Sequence, residues 1–120
     1  MKYGTNPHQE KAGIYTFNDQ PNPFTILNGV CGYINILDAI YSWQLVKELR
    51  QTLGIPAAAS FKHTSPAGVG TSKPLSDTLK KIYDVENMEL SSIATAFIRA
   101  RNSDPMSSFG DFVVASFSKA

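Results

Sequence analysis

The dipeptide Lys62-His63 is the part of this sequence whose residue types are best suited to chemistry. Histidine gains and loses a proton readily near neutral pH, which suits it to general acid–base catalysis. A neighbouring ammonium group can stabilise the negative charge that develops on a reacting oxygen. A surface Lys-His pair with no catalytic role has the same spacing and is the commoner case. The pattern by itself leaves both interpretations open.

The position of the pair along the chain gives it a structural context. Residues 57–61 are a short uncharged segment, which predicts a buried strand. Residues 62–68 are predicted to form the loop that leaves the carboxyl end of this strand. A second loop, residues 106–111, precedes another predicted strand at residues 112–117. Ligands of open α/β sheets bind outside the carboxyl ends of strands. The first loop is therefore a candidate site, and the second joins it if the sheet continues through neighbouring chains.

Other small or polar residues have simpler explanations. Gly68-Val69-Gly70-Thr71 faintly resembles a phosphate loop but lacks the Gly-Lys-Ser/Thr ending, so we interpret its glycines as turn residues. His8 fits a loop hydrogen bond as well as a functional role. Cys31 is typical of a small buried thiol. The basic residues of the later helices are interpreted as solvated faces, on which an arginine could hold an anion: Lys80, Lys81, Arg99 and Arg101.

A long helix is predicted over residues 36–53 to position the first loop. Asn35 suits the N-cap, and Asp38 places a carboxylate near the positive end of the helix dipole. Gly54 ends the pattern. Trp43 is predicted to lie in the core with the other apolar residues at helical spacing: Ile36, Ile40, Val46, Leu49 and Leu53.

The remaining elements complete an α/β pattern. Short strands are predicted at residues 13–17 and 24–27, helices at 76–83 and 91–101, and buried strands at 57–61 and 112–117. Strands separated by helices indicate a layered domain with at least one parallel crossover. We therefore expect an α/β fold with a central sheet flanked by helices.

The composition limits the class of protein. The chain has 120 residues, of which 42% are hydrophobic and 18% charged, with a formal net charge of +1. This length suits one domain covering residues 1–120, and the apolar content argues against disorder. The balanced charge gives no reason to expect binding to nucleic acid or to an anionic membrane.

Metal, disulfide and membrane chemistry are not expected either. The nitrogen and sulfur ligands are limited to Cys31, His8 and His63, so neither a disulfide nor a metal site is predicted. No uncharged stretch is long enough for a transmembrane helix, and no apolar run typical of a signal peptide follows Met1. A cytoplasmic location is the expectation.

Five motifs in a fixed order connect this sequence to a known family. They are KYGTNPHQ at residues 2–9, ILNG at 26–29, YINILDA at 33–39, FKHTSPAG at 61–68 and DPMSSFGDF at 104–112. Together they resemble the amino-terminal part of AICAR transformylase, the formyltransferase domain of a bifunctional purine biosynthesis enzyme that also carries IMP cyclohydrolase. The resemblance spans essentially the whole chain.

The resemblance implies a reaction and a fold. The family transfers the formyl group of 10-formyltetrahydrofolate, its co-substrate, to the 5-amino group of AICAR, giving FAICAR. Its fold consists of cytidine-deaminase-like layered units without zinc, and this chain has neither the Pro-Cys-x-x-Cys nor the His-x-Glu of the zinc deaminases. The family's catalytic pair corresponds to Lys62 and His63. By this resemblance His63 transfers the proton and Lys62 gives electrostatic support.

The resemblance also implies substrate-binding residues. The family's Arg-Tyr-Gly start contacts the AICAR nucleotide, and here Lys2 keeps the charge of that arginine but not its bidentate fork. The Met-x-x-Phe-Gly loop lines the substrate site. The residues concerned are Lys2, Tyr3, Gly4, Met106, Phe109 and Gly110.

The length departs from the family. A complete transformylase domain is well over twice this size, so we expect the first deaminase-like unit without the second one, which carries a catalytic Asn, and without the cyclohydrolase domain. In the family a homodimer completes the site, so we expect a homodimer or association with the missing half. The alternative is a truncated, non-catalytic paralogue that binds nucleotide or pairs with another protein. Retention of Lys62-His63 favours the enzyme, whereas Lys2 and the missing half favour the alternative.

Overall fold

An antiparallel sheet of three strands lies between two helices in the second part of the chain. The computed structural model describes residues 1–9 and 11–117. These divide into two compact units, Met1–Leu37 and Asp38–Ala120. The elements are α1 (Tyr33–Leu53), β1 (Ala57–Lys62), β2 (Ser65–Thr71), α2 (Asp77–Ile82), α3 (Ser92–Ser103) and β3 (Phe112–Ala115). The α/β class predicted from the sequence is confirmed.

The strand order is β2-β1-β3, and β1 runs antiparallel to both neighbours. The predicted parallel crossover is present, but it does not join the two predicted buried strands, β1 and β3, because these are antiparallel. The reason is β2, a strand that the sequence pattern presents as a loop. Because β2 reverses the chain first, the long connection through α2 and α3 starts from β2. It joins β2 to β3, which point the same way on opposite sides of β1.

The side chains of β1 alternate between two apolar clusters, one on each face of the sheet. Ala57, Ala59 and Phe61 pack with Val46 of α1. Ala58 packs with residues of α3, Ala96 and Ala100. Since both faces are covered by helices, all of these β1 residues are buried. This explains why an alanine-rich segment forms the central strand: small side chains fit between two close helical layers.

The α3 backbone lies very close to β2. A Cβ atom built on Gly68 would lie 2.0 Å from the carbonyl oxygen of Ala100, and one on Gly70 would lie 2.4 Å from that of Ala96. No side chain fits at such distances. The interpretation of these glycines as turn residues is therefore wrong, because they are strand residues that let the helix backbone approach.

Helix α1 starts earlier and buries a narrower stripe than predicted. It begins at Tyr33, so Asn35 lies in the first turn and is not the N-cap, although its Oδ1 accepts the Gly32 N–H at 3.0 Å. The core position predicted for Trp43 is also wrong, since this side chain is 47% exposed whereas Val46 is fully buried. Asp38 and Ser42 share the buried stripe with Val46. Because two of the three buried residues are polar, the apolar pattern of the sequence indicates the wrong face of the helix as the buried one.

Both later helices begin where the sequence predicts. The Ser76 hydroxyl accepts the Leu79 N–H at 3.2 Å, and the Ser91 hydroxyl accepts the Ala94 N–H at 3.3 Å. Serine N-caps of this kind are worth about 1 kcal/mol. Strand β3 is two residues shorter than the predicted 112–117, ending at Ala115.

The strands predicted at residues 13–17 and 24–27 do not form. Both stretches lack regular structure, and their large apolar side chains, such as those of Tyr15, Phe17 and Leu27, are largely exposed. A strand needs a partner and a face to bury, and these short apolar runs have neither within the first unit. In the part of the chain that the structure describes, no helix is long and apolar enough to cross a membrane.

Candidate functional site

The Lys62-His63 pair lies at the tip of the β1–β2 hairpin. Lys62 pairs with Ser65, and His63 and Thr64 form the turn between them. Both turn residues have positive φ angles, 50° for His63 and 65° for Thr64. This is the geometry of a type I′ turn, which usually contains Asn-Gly. A β-branched threonine in this conformation is strained, and strain of this kind, about 1–3 kcal/mol per residue, often accompanies function.

The turn backbone is bound by a buried carboxylate. Oδ1 of Asp38 accepts the Thr64 N–H at 2.7 Å, and the Asp38 side chain is only 4% exposed. The helix-dipole role predicted for Asp38 is wrong, since the first turn of α1 contains no acidic residue. The sequence offered one signal for its actual role: a carboxylate on the stripe that faces the sheet.

A second loop, residues 104–111, lies beside the hairpin. Asp104 begins it, and its carboxylate accepts the Ser107 hydroxyl at 2.6 Å and the Ser107 N–H at 3.1 Å. These two hydrogen bonds, the hydroxyl first, lower the pKa of the Asp104 carboxyl. The loop therefore keeps a negative charge on the side of the site where Asp104 lies.

A network of polar side chains fixes the far end of this loop to the sheet. The Ser60 hydroxyl lies 2.6 Å from Oδ2 of Asp111 and 2.9 Å from the hydroxyl of Ser108. Arg101 of α3 donates to Oδ1 of Asp111 at 3.1 Å. The Asp111 side chain is only 6% exposed, so the carboxylate of this ion pair is largely shielded from water. Because Ser60 is two residues before Lys62 on β1, the network ties the loop to the strand that carries the catalytic candidates.

The two loops meet at Lys62. Its Nζ donates to the carbonyl oxygen of Phe109, which brings one predicted catalytic residue and one predicted substrate-binding residue together. An open cleft of about 490 Å³ lies next to this contact. Its lining residues are Lys62, His63, Ser65, Pro66, Ala67, Asp104 and Ser107.

The large side chains of this loop that are predicted to bind substrate face solvent. Met106 and Phe109 are 88% and 78% exposed. Gly110 has a φ of 69°, with no atom within 4 Å of a Cβ built on it. This glycine allows the loop to bend back towards β3, while the two large apolar side chains remain open for contact with another molecule.

Lys2, Tyr3 and Gly4 lie in the first unit, in a loop with its own hydrogen bonds. The Lys2 N–H donates to the carbonyl oxygen of Cys31 at 3.0 Å, and the Gly4 N–H donates to that of Gln9 at 2.7 Å. The Lys2 ammonium lies 6.0 Å from the centre of the Tyr3 ring. Cys31 is only half-buried, unlike the buried thiol expected. His8 is exposed in the same loop.

The arginines of α3 are held by protein groups. Arg99 donates from Nε to the carbonyl oxygen of Lys73 at 2.9 Å and from Nη2 to that of Pro74 at 2.7 Å. Arg101 pairs with Asp111. Both side chains are partly exposed, as expected for solvated faces, and in addition they link α3 to neighbouring segments. Among the described residues, no group of three or more His, Cys, Asp or Glu side chains is arranged to hold a metal ion.

Comparison of the sequence with known proteins places this chain in a family. Residues 1–118 match the family described as the AICARFT/IMPCHase bienzyme. The chain is 34% identical over 114 residues to the bifunctional purine biosynthesis protein PurH of Elusimicrobium minutum, covering 94% of this chain and 17% of that protein. It is 31% identical over 117 residues to the PurH of Shouchella clausii, covering 94% of this chain and 19% of that protein.

A third relative gives the same result. The PurH of Macrococcus caseolyticus is 34% identical over 94 residues, which cover 75% of this chain and 18% of that protein. The chain thus spans less than one fifth of the length of these curated relatives. The resemblance predicted from the ordered motifs is confirmed, and the chain belongs to the AICARFT/IMPCHase bienzyme family.

Proposed function

We propose that this chain forms part of a formyltransferase of purine biosynthesis, which moves the formyl group of 10-formyltetrahydrofolate to AICAR. Its family and its relatives, named as bifunctional purine biosynthesis proteins, support a role in that pathway. The observation that carries the proposal is the position of Lys62 and His63. They occupy a strained hairpin tip beside a cleft, where Lys62 also contacts the second loop.

The reaction needs a base and a cation, and the pair offers both. The 5-amino group of AICAR is a weak nucleophile because its lone pair is delocalised into the imidazole carboxamide. As the nitrogen bonds to the formyl carbon, His63 accepts a proton from the amine. The carbonyl electrons move to the oxygen, and the Lys62 ammonium stabilises that oxyanion. When the oxyanion collapses, the bond to folate N10 breaks, and that nitrogen leaves with the proton that His63 gives back.

The contact between Lys62 and Phe109 fits this role. An ammonium group has three N–H donors, so a hydrogen bond to the Phe109 carbonyl leaves two for a substrate oxygen. The carbonyl thereby orients the ammonium without neutralising its charge. We propose that it aims Lys62 at the position of the oxyanion.

The binding residues are proposed on the same basis. The exposed side chains of Met106 and Phe109, with the bend at Gly110, would contact the planar ring systems of the substrates. The loop of Lys2, Tyr3 and Gly4 would bind the AICAR nucleotide, with Lys2 acting as a point charge on phosphate. No metal has a role in this mechanism.

The proposal extends to the whole assembly. This chain would be the first cytidine-deaminase-like unit of the transformylase, and its layered arrangement of helices on both faces of the sheet supports that assignment. A homodimer, or association with the remainder of the enzyme, would complete the site. We place the protein in the cytoplasm with the rest of the pathway.

The test is formyl transfer by the intact polypeptide that contains this chain. Incubation with AICAR and 10-formyltetrahydrofolate labelled with ¹³C in the formyl group should give labelled FAICAR and tetrahydrofolate in equal amounts. Mass spectrometry of the nucleotide detects the product. If the protein binds AICAR but no label is transferred, the nucleotide-binding paralogue is the correct interpretation and the formyltransferase proposal is wrong.

A further inference from the structure

A buried acid on α1 reaches the hairpin tip that carries Lys62 and His63. Asp38 is 4% exposed, and its Oδ1 accepts the N–H of Thr64, 26 residues further along the chain, at 2.7 Å. A carboxylate that loses its water shell must be compensated by hydrogen bonds within the protein. The Thr64 amide provides such a bond, and the pair links the helix directly to the turn.

The bonded amide lies at the point that decides the conformation of His63. The Thr64 N–H belongs to the peptide plane between His63 and Thr64. Fixing the direction of this N–H therefore fixes ψ of His63 and φ of Thr64 together. Both residues have positive φ angles, which residues of these types seldom adopt without support. An acceptor placed at this amide favours that one conformation over the relaxed alternatives.

Packing gives the tip little other support. His63 is exposed, and the strand residues next to the turn, Ser65 and Pro66, are exposed as well. The direction of the imidazole from the backbone thus depends on the turn conformation itself. Lys62 has its own support in the Phe109 carbonyl, but that bond involves the side chain and leaves the turn free.

We infer that Asp38 is a positioning residue, which holds the turn so that His63 and Lys62 face the reacting groups together. This inference rests on the proposed formyl transfer. Asp38 itself does not touch the substrates. Its effect passes through the Thr64 amide, so its removal should misplace the base while the nucleotide contacts remain.

The experiment compares three variants in the intact polypeptide. Asp38→Ala removes the acceptor, Asp38→Asn keeps an oxygen at the same position, and Val46→Ala weakens the same buried stripe of α1 without touching the turn. Because small errors in position reduce rates strongly, Asp38→Ala should lower kcat roughly 10- to 100-fold and change KM for AICAR less than about threefold. Asp38→Asn should keep kcat within about threefold of wild type, because its amide oxygen also accepts the bond. Val46→Ala should reduce stability and leave kcat unchanged.

A spectroscopic readout separates this inference from the proposed function. In ¹⁵N NMR spectra the proton of the Thr64 amide should be shifted downfield and protected from exchange in wild type and in Asp38→Asn. Asp38→Ala should lose both the shift and the protection. If the wild-type protein shows this signal but transfers no formyl group, the proposed function is wrong and the positioning bond is real. If Asp38→Ala loses the signal yet keeps the wild-type kcat, or if Asp38→Asn loses as much activity as Asp38→Ala, the inference is overturned.

Discussion

At the scale of single residues, His63 should determine the rate of the proposed formyl transfer far more than the binding of AICAR. Proton removal from the amine occurs only in the transition state, whereas the nucleotide in the ground state is held by its phosphate, ribose and carboxamide. His63→Ala in the intact enzyme should therefore lower kcat by roughly 10²–10⁴-fold, the usual range for a positioned general base. This equals about 3–5 kcal/mol of barrier. Steady-state kinetics with AICAR as the varied substrate measures it.

Lys62 and His8 provide the comparisons for that experiment. Lys62→Ala should reduce kcat to a similar extent, and the double variant should lose less than the sum of the two effects because the pair acts as a unit. His8→Ala, in an exposed loop of the first unit, should have a milder effect. An increase in KM alone for His63→Ala, with kcat within a few-fold of wild type, would make His63 a binding residue.

Thr64 shows how the site stores strain. Its φ of 65° is unfavourable for a β-branched side chain, whereas glycine adopts it freely. Thr64→Gly should relieve about 1–3 kcal/mol of strain and lose about 0.5–1 kcal/mol through the greater freedom of glycine in the unfolded chain. The net result should be a free energy of unfolding higher by about 1 kcal/mol, measured by urea denaturation.

The matched control for Thr64 is Thr71, at the far end of β2, the strand that follows the turn. Thr71 has no positive φ, so Thr71→Gly should destabilise the protein by about 0.5–1 kcal/mol. If Thr64→Gly destabilises by as much as Thr71→Gly, the turn is not strained in solution, and strain does not mark the site.

At the scale of elements, the sequence predicts those that rely on local signals. The serines that cap α2 and α3 bind N–H groups only three residues further along the chain, so both helix starts could be predicted. β2 could not be predicted in this way. Its sequence, SPAGVGT, combines proline and two glycines, which are poor strand formers. It forms a strand by pairing with β1, and it needs its glycines because α3, far along the chain, packs against them. The partner that selects the glycines is distant in sequence and close in space.

Gly68 tests that explanation. Its Cβ position is occupied by the backbone oxygen of Ala100 at 2.0 Å, and backbone inside a packed helix cannot rotate away. Gly68→Ala should therefore lower the free energy of unfolding by about 3 kcal/mol or more. Gly32→Ala is the control, because a Cβ there meets its nearest atom, in the Asn35 side chain, at an ordinary 3.4 Å. Denaturation midpoints that fall equally in the two variants would contradict the close approach of α3.

The candidate site was predictable only in its chemistry. Lys62 and His63 were selected by residue type and by resemblance, and the structure adds where they lie: a hairpin tip and not a loop between strand and helix. The contacts that fix the two loops, Asp38 with Thr64 and Ser60 with Asp111, join residues that are 26 and 51 positions apart, so no local pattern pairs them. Side chains that support a site are found through contacts, and contacts of this range require the fold.

At the scale of the whole molecule, surface and charge together predict self-association of the 120-residue chain. Tyr41 and Trp43 are about half exposed on α1, and Phe117, after β3, is 76% exposed. Large apolar groups in contact with water favour association, and a formal net charge of +1 provides little repulsion against it. Sedimentation velocity, with the lowest and highest protein concentrations about 100-fold apart, should show a mean mass that rises with concentration. Trp43→Glu should shift this rise to higher concentration, whereas Lys47→Glu, an exposed position on the same helix, should not. A single monomeric species at all concentrations would show that these exposed side chains need no partner.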